Sequence, residues 1–425
     1  MKDSKKSIWA WSLYDWANSA FATTVIAGFF PVFFKAYWAD QANINESTFY
    51  LGLSNSISAS IVAILAPILG AVADRGTAKK KFLSFFTFMG VSMTIGLWFV
   101  SQGFWQMAIL IYVLATVGYN SGLIFYDSLL PGIVSIKKVD YTSSLGFALG
   151  YLGGGLLFLI NVIMYLKPEI FSIPDKTVAV RLSFLSVGIW WAVFSIPILL
   201  WVEEEKIYER VDMIKAVSLG FQQLIDTLKH ITHLKVVGLF LCAYWLYIDG
   251  VNTIFRMGID YGMSLGFPAG SLITALLMIQ FVSFPAALLY NRMGSRIGIK
   301  NALLIAIGGY SCITFMGYFM NALWQFFTLA ALIGLFQGGI QALSRSLYTR
   351  IIPSDEAAEF FGFYNLIGKL AAIIGPAMMG IITLWTGNIR YGILSILVLL
   401  IPGAFLLMKV DIGRGEEIAR DYLKK

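Results

Sequence analysis

Apolar runs of about 20 residues recur along the whole chain, each long enough to cross a bilayer as a helix. The pattern predicts twelve spans, at roughly 8–38, 48–73, 82–101, 104–130, 143–166, 180–202, 235–258, 269–290, 299–320, 323–350, 360–385 and 390–409. Short polar connections separate them. Only one polar break is long, from Glu203 to Lys235, and it divides six spans from six. The expected organisation is a first six-helix half over 1–202, a linker over 203–234 and a second half over 235–425. Within the linker, Val217, Phe221, Leu224, Ile225, Leu228 and Ile231 recur at helical spacing, which predicts an amphipathic helix lying on the inner membrane surface. The predicted fold class is an all-α membrane protein with twelve transmembrane helices in two pseudo-symmetric six-helix halves.

The polar positions inside the spans carry more information than the apolar ones. Asp15, Asn18 and Ser19 fall in the first span at i, i+3 and i+4, so they share one narrow polar face. An acid in hydrocarbon needs a partner, a proton or water beside it. The pattern returns as Asp249-Gly250-Val251-Asn252-Thr253, offset by 249 − 15 = 234 residues. A second repeat pairs the basic turns. Asp74-Arg75-Gly76 after the second span matches Asn291-Arg292-Met293 after the eighth, at 292 − 75 = 217. At that offset Asn120 and Gly122 match Gln337 and Gly339. Repeated helices in two halves of a membrane protein are a transporter signature.

Composition agrees with this. Of 425 residues, 58% are hydrophobic and 13% charged, outside the usual balance of soluble domains. The net charge of +7 sits in short loops without a basic-aromatic surface pattern, which argues against nucleic-acid binding. Lys and Arg crowd one side of the predicted membrane, so both termini are expected in the cytoplasm, in a bacterial inner membrane. Cys242 and Cys312 lie in different spans and read as packed thiols. His230 and His233 stand alone in the linker and make no metal site. No nucleotide-binding loop is visible and no cofactor is expected. Trp38, Trp105, Trp201 and Trp385 near span ends suggest an interfacial belt, while Tyr14, Trp16 and Tyr119 lie deeper and could line a cavity.

With these motifs in hand, the chain resembles the major facilitator superfamily: two six-helix halves and an Asp-Arg-Gly basic turn after the second span. Within it, Tyr14-Asp15-Trp16-Ala17-Asn18-Ser19, Asp249-Gly250-Val251-Asn252-Thr253, Gln337-Gly338-Gly339-Ile340-Gln341-Ala342-Leu343-Ser344-Arg345-Ser346 and Phe361-Gly362-Phe363-Tyr364-Asn365 are similar to the branch of the vacuolar amino-acid effluxers of autophagy and their bacterial relatives. The turn continues as Gly76-Thr77-Ala78-Lys79-Lys80, so only its acid and bases follow the superfamily pattern. The resemblance implies the major facilitator fold and alternating-access transport, with amino acids as cargo in the fungal relatives.

The candidate substrate-binding or coupling residues are Asp15, Asn18, Ser19, Asn120, Asp249, Asn252, Thr253, Arg256, Gln337, Gln341, Asn365 and Lys369. Asp15 suits a proton-coupled cycle, and its neighbouring oxygens equally suit a sodium ion. Arg256 is a charge partner for Asp249 or for Asp260. Lys369, near mid-membrane, would hold a substrate carboxylate or neutralise Asp15 or Asp249. The candidate conformational residues are Asp74, Arg75, Asp127 and Arg345. Asp127 and Arg345 stand at almost equivalent positions of the two halves with opposite charges. They are expected either to attract across a closed inner gate or to pair within their own halves, Asp127 with Arg75. The expected function is secondary active transport of a small polar solute, coupled to protons or to sodium, by a monomer in the lipid bilayer. The alternatives are a lipid translocator of the same fold and an integral membrane enzyme.

Overall fold

The computed structural model describes residues 2–39, 79–204, 234–371 and 374–422, with scattered positions between 50 and 69. Most of the predicted second span, the Asp74-Arg75 turn and the linker with its histidines lie outside the described residues. Among the described residues the longer helices are α1 Lys5–Trp38, α2 Lys79–Phe99, α3 Trp105–Ile133, α4 Ile136–Leu166, α5 Lys176–Trp201, α6 Lys235–Ser264, α7 Ala269–Ile297, α8 Ile299–Tyr318, α9 Leu323–Ile351, α10 Ala357–Leu370, α11 Ile374–Thr386, α12 Ile389–Met408 and α13 Ile412–Tyr422. Ten of the described helices are long and apolar enough to cross a membrane. Helices dominate because in hydrocarbon every backbone N–H and C=O must be satisfied internally.

Two elements depart from the predicted boundaries in informative ways. The predicted span 360–385 is two helices, α10 and α11. Ala371 leaves the helix in a turn, α11 is described from Ile374, and Pro376 in its first turn lacks the N–H that would bond back to the preceding turn. Helix α1 runs on through a π-helical stretch, Phe21–Phe29, directly after the Asp15 motif.

The described core divides by chain position. The largest cluster of buried apolar side chains draws only on residues from Leu234 onward, and the others only on residues up to Val202. Between these two groups of helices, α4 packs on α7 and α9, and α3 packs on α10.

Small residues make the tightest of these approaches. A Cβ on Gly150 would come 2.7 Å from Ser19 Oγ, and one on Gly154 would come 2.9 Å from the Ser19 carbonyl, so α1 lies directly on α4.

Three expectations about outward and inward faces fail. Cys242 and Cys312 are exposed rather than packed. A lipid-facing surface is as apolar as a core, so composition does not separate the two. Trp38 is fully buried among Phe30, Phe33 and Phe184 rather than belonging to a belt, whereas Trp385 is 85% exposed. Tyr14 lines no cavity: it is buried, and its hydroxyl shares a 2.8 Å hydrogen bond with Thr87. Trp16 stacks on Trp190, and Tyr119 packs on Phe21 and Trp191, all within one group of helices.

Candidate functional site

Polar side chains of the two groups of helices meet where α1, α3, α4 and α9 converge. There Arg345 of α9, only 3% exposed, reaches into the first group. Its Nε donates to Ser143 Oγ at 2.9 Å, and Nη2 donates to the Ser143 carbonyl at 2.9 Å. Nη1 and Nη2 both donate to Asp15 Oδ2 at 3.2 Å, and Nη1 also reaches Asp127 Oδ1 at 3.2 Å. All five guanidinium N–H groups therefore have acceptors, an arrangement no lysine could reproduce.

The pocket around this cation is aromatic. Its guanidinium carbon lies 4.1 Å from the Phe147 ring centre, 4.8 Å from Trp11 and 5.5 Å from Tyr126. Trp11 stacks on Tyr126 at 4.2 Å, and the Tyr126 hydroxyl donates to Asp15 Oδ2 at 2.8 Å. Gly146 opens the space. A Cβ there would sit 2.7 Å from Asp15 Oδ2 and 3.0 Å from Arg345 Nη2. The cluster sets two carboxylates against one guanidinium. Asp15 Oδ1 has no protein partner among the described residues.

Polar rungs extend from this point along α4 and α9. Toward the chain ends, Arg350 donates to Asp140 Oδ2 at 2.7 Å and to Glu416 of α13 at 3.2 Å, and Ser346 also donates to Asp140. In the other direction, the Tyr151 hydroxyl donates to Gln341 Oε1 at 2.5 Å. Tyr310 of α8 donates to Gln337 Oε1. Sequence reasoning missed Asp140, Ser143 and Tyr151. Their signal was present, since all three lie on α4, which faces α9.

The other expected site residues are distributed differently. Asp249 is buried and makes no ion pair among the described residues. Both its oxygens accept from the backbone N–H of Gly375, at 3.1 and 3.2 Å, and Thr253 also donates to it at 3.4 Å. It caps the start of α11, where the partial positive charge of a helix N-terminus favours a carboxylate. Arg256 makes no direct bond to it, although the two charges attract at longer range. Arg256 is exposed, and among the described residues it has no hydrogen-bond or ion-pair partner. The side chains of Asp260 and Lys369 lie outside the described residues. Asn18 and Asn120 are buried, with Asn18 Nδ2 and Asn120 Oδ1 unpartnered. Asn120 Nδ2 donates to the Thr116 carbonyl at 2.9 Å, and Asn365 donates likewise to Phe361 at 2.9 Å. Ser19 faces Gly150 on α4, and Asn252 is half-buried on α6. No group of metal ligands forms among the described residues. A separate cavity of about 60 Å³ lies inside the second group of helices, lined by Ile254, Tyr261, Leu276, Thr314 and Met379 among others. Its two hydroxyls are already bonded, Tyr261 to the Gly317 carbonyl and Thr314 to that of Tyr310, both at 2.8 Å. The rest of the lining side chains are apolar, which suits a polar solute poorly.

A helical membrane protein in two packed groups, joined by a buried arginine, has the architecture of a transporter of the major facilitator fold. Solved structures share it. A proton:xylose symporter, XylE, superposes with a TM-score of 0.71 at 14% identity, over 96% of this chain and 94% of that one. The transporter FucP in its outward conformation gives a TM-score of 0.73 at 11% identity, over 95% and 98%. The family described as "Vacuole effluxer Atg22 like" matches residues 41–142 and 135–420, and the chain belongs to that family. The uncharacterized MFS-type transporter YxiO of Bacillus subtilis is 37% identical over 96% of this chain and 95% of its own length. Autophagy-related protein 22 of Coccidioides immitis is 24% identical over 98% and 88%. The protein is thus a multi-pass membrane transporter.

Proposed function

We propose that this transporter moves a small polar solute, an amino acid or a similar metabolite, out of the cytoplasm by alternating access coupled to protons. It would act as a monomer in a bacterial inner membrane with both termini in the cytoplasm. The observation that carries the reading is the buried Arg345, Asp15 and Asp127 cluster. It ties the two groups of helices together at one end, which we take as the closed cytoplasmic end. Opening that end must pull Arg345 away from both carboxylates. A carboxylate left in a low-dielectric site without its cation is costly, so it binds a proton or gains water. Parting of the halves and uptake of a proton are then one linked event. The unpartnered Asp15 Oδ1 supplies a place for that proton as the cluster opens.

The test is transport of a panel of labelled amino acids in proteoliposomes under an imposed pH gradient. Asp15→Asn and Asp127→Asn are expected to abolish the response to the gradient while leaving solute exchange partly intact. Undiminished gradient-driven transport in both variants overturns the proton reading. A response to a sodium gradient and none to pH makes sodium the coupling ion.

A further inference from the structure

The rungs between α4 and α9 end at Tyr151 and Gln341. Below them the two helices are bonded at Ser143 and at Asp140. Phe147, one turn before Tyr151, covers the Arg345 guanidinium. Beyond Tyr151, α4 turns its small residues elsewhere: a Cβ on Gly155 would lie 3.2 Å from Gln280 Cβ on α7. Tyr151 and Gln341 are both half-buried, so this last rung still reaches open space. It is the floor on which a solute held between the two groups of helices would rest.

The chemistry of that floor is one-sided. A glutamine amide offers two acceptor lone pairs on oxygen and two N–H donors. At Gln341 the oxygen is taken by the Tyr151 hydroxyl, at 2.5 Å. At Gln337, one helical turn away on α9, the oxygen is taken by the Tyr310 hydroxyl. Each tyrosine fixes which end of the amide faces it and so which end is left over. The Gln341 amide nitrogen has no hydrogen-bond partner among the described residues and is not among the sealed, unpartnered polar atoms of the core, whereas Gln337 is buried and its side chain also bonds Tyr151. The Gln341 amide therefore opens onto accessible space as a donor.

We propose that Tyr151 is a positioning residue that presents the two amide N–H groups of Gln341 as donors, selecting solutes that offer paired acceptor oxygens, such as a carboxylate, over isosteres that offer donors. The proposal rests on the transport reading above only in locating the solute between the helix groups. Its discrimination comes from desolvation. A solute that sets an N–H against the Gln341 amide leaves donors facing each other unpaired, and such mismatches discriminate far more strongly than a missing methylene does.

The experiment measures binding to the full-length purified protein in nanodiscs, using pairs of equal carbon skeleton: propionate with propionamide, succinate with succinamide, and alanine with alaninamide. The parent is expected to bind the carboxylate member at least tenfold more tightly in one pair or more. Tyr151→Phe keeps the ring but frees the Gln341 amide to turn over, and the ratio should fall at least threefold. Gln341→Glu keeps an oxygen for Tyr151 and replaces the donor with a second acceptor, so the preference should invert. Unchanged unfolding midpoints in both variants separate this effect from lost structure. If the parent binds neither member of any pair, or if both variants keep the parent ratio, the proposal is overturned. A pH-gradient response lost through Asp15→Asn but unchanged in Tyr151→Phe would leave the coupling reading standing when this one falls.

Discussion

Asp15 and Asp249 stand at the same place in a repeated sequence, yet one is held by the opposite group of helices and the other by its own. Asp15 meets a full positive charge, Arg345, whose helix approaches from residues 330 positions away. Asp249 meets the N–H of Gly375 at the start of a restarted helix, which offers about half a charge. The local sequence buries an acid in both copies. What satisfies each acid is set by the element that happens to face it. The consequence is functional: a bond between helix groups must break when they part, whereas a bond within one group need not. Asp15 is therefore placed to report the conformation, and Asp249 to hold its own half together.

The largest effect that sharpens this contrast comes from Arg345. Arg345→Ala leaves two carboxylates buried without a cation, a loss of about 3–5 kcal/mol for the closed arrangement. The unfolding midpoint in detergent should fall and transport should cease. Arg345→Lys should recover little, because three donors cannot serve five acceptor contacts. A variant as stable and as active as the parent would remove the cluster from both the fold and the mechanism.

Asp249 should respond differently. Asp249→Ala leaves the Gly375 N–H unpaired in the core, at a cost of about 1–3 kcal/mol. Asp249→Asn keeps an acceptor oxygen and should lose only part of that. Neither should alter the response of transport to a pH gradient beyond the change in folded protein. If Asp249→Asn abolishes that response as Asp15→Asn does, the two acids are equivalent after all.

How much of this was legible can be argued residue by residue. Spans and their number follow from apolar runs, since membrane helices must be about 20 residues long. Asp15, Asp127 and Arg345 each stand out as charges in apolar surroundings. The three-way meeting does not, because nothing local to Asp15 specifies which of several distant cations will face it. The cap on α11 was also hidden: the apolar run reads as one span, and sequence does not show that an acid 126 positions earlier sits opposite Gly375. The exposed cysteines and the buried Trp38 failed for another reason, since lipid-facing and core-facing positions share one composition.

The glycines beside the two acids give a subtler comparison. At Gly146 an added Cβ would press on Asp15 Oδ2, Arg345 Nη2 and Trp11 together. At Gly375 it would press on Thr253 and, at 2.8 Å, on Asp249 Oδ1. Overpacking of this kind costs about 1–3 kcal/mol. Gly146→Ala should weaken the closed arrangement and so lower transport and stability together, whereas Gly375→Ala should lower stability alone. Equal losses of transport at equal stability would erase the distinction between the two sites.

The smallest effect involves a third carboxylate, Asp3, which caps a helix as Asp249 does but in contact with water. Its two oxygens accept from the Ser135 backbone N–H and hydroxyl, both at 2.9 Å, at the start of α4. That backbone hydrogen bond, helped by the Ser135 hydroxyl and by Lys138 and Lys2, holds its pKa below the ordinary 3.8 against the opposing pull of partial burial. A depressed folded value means that the unfolded chain takes up the proton first. The contribution to stability is complete above the ordinary carboxylate range and disappears as the pH falls through the folded value. Asp3 has a positive φ of 68°, which asparagine tolerates, and Asp3→Asn keeps one acceptor for Ser135 while removing the titration. The difference in unfolding midpoint between parent and Asp3→Asn should be constant near neutrality and shrink below about pH 4. Because Asp3 faces water, the change should be smaller than any of those above. Parallel curves for the two proteins across the acid range would mean that the cap contributes nothing through its charge, and the contrast between a buried cap at Asp249 and a solvated one at Asp3 would rest on geometry alone.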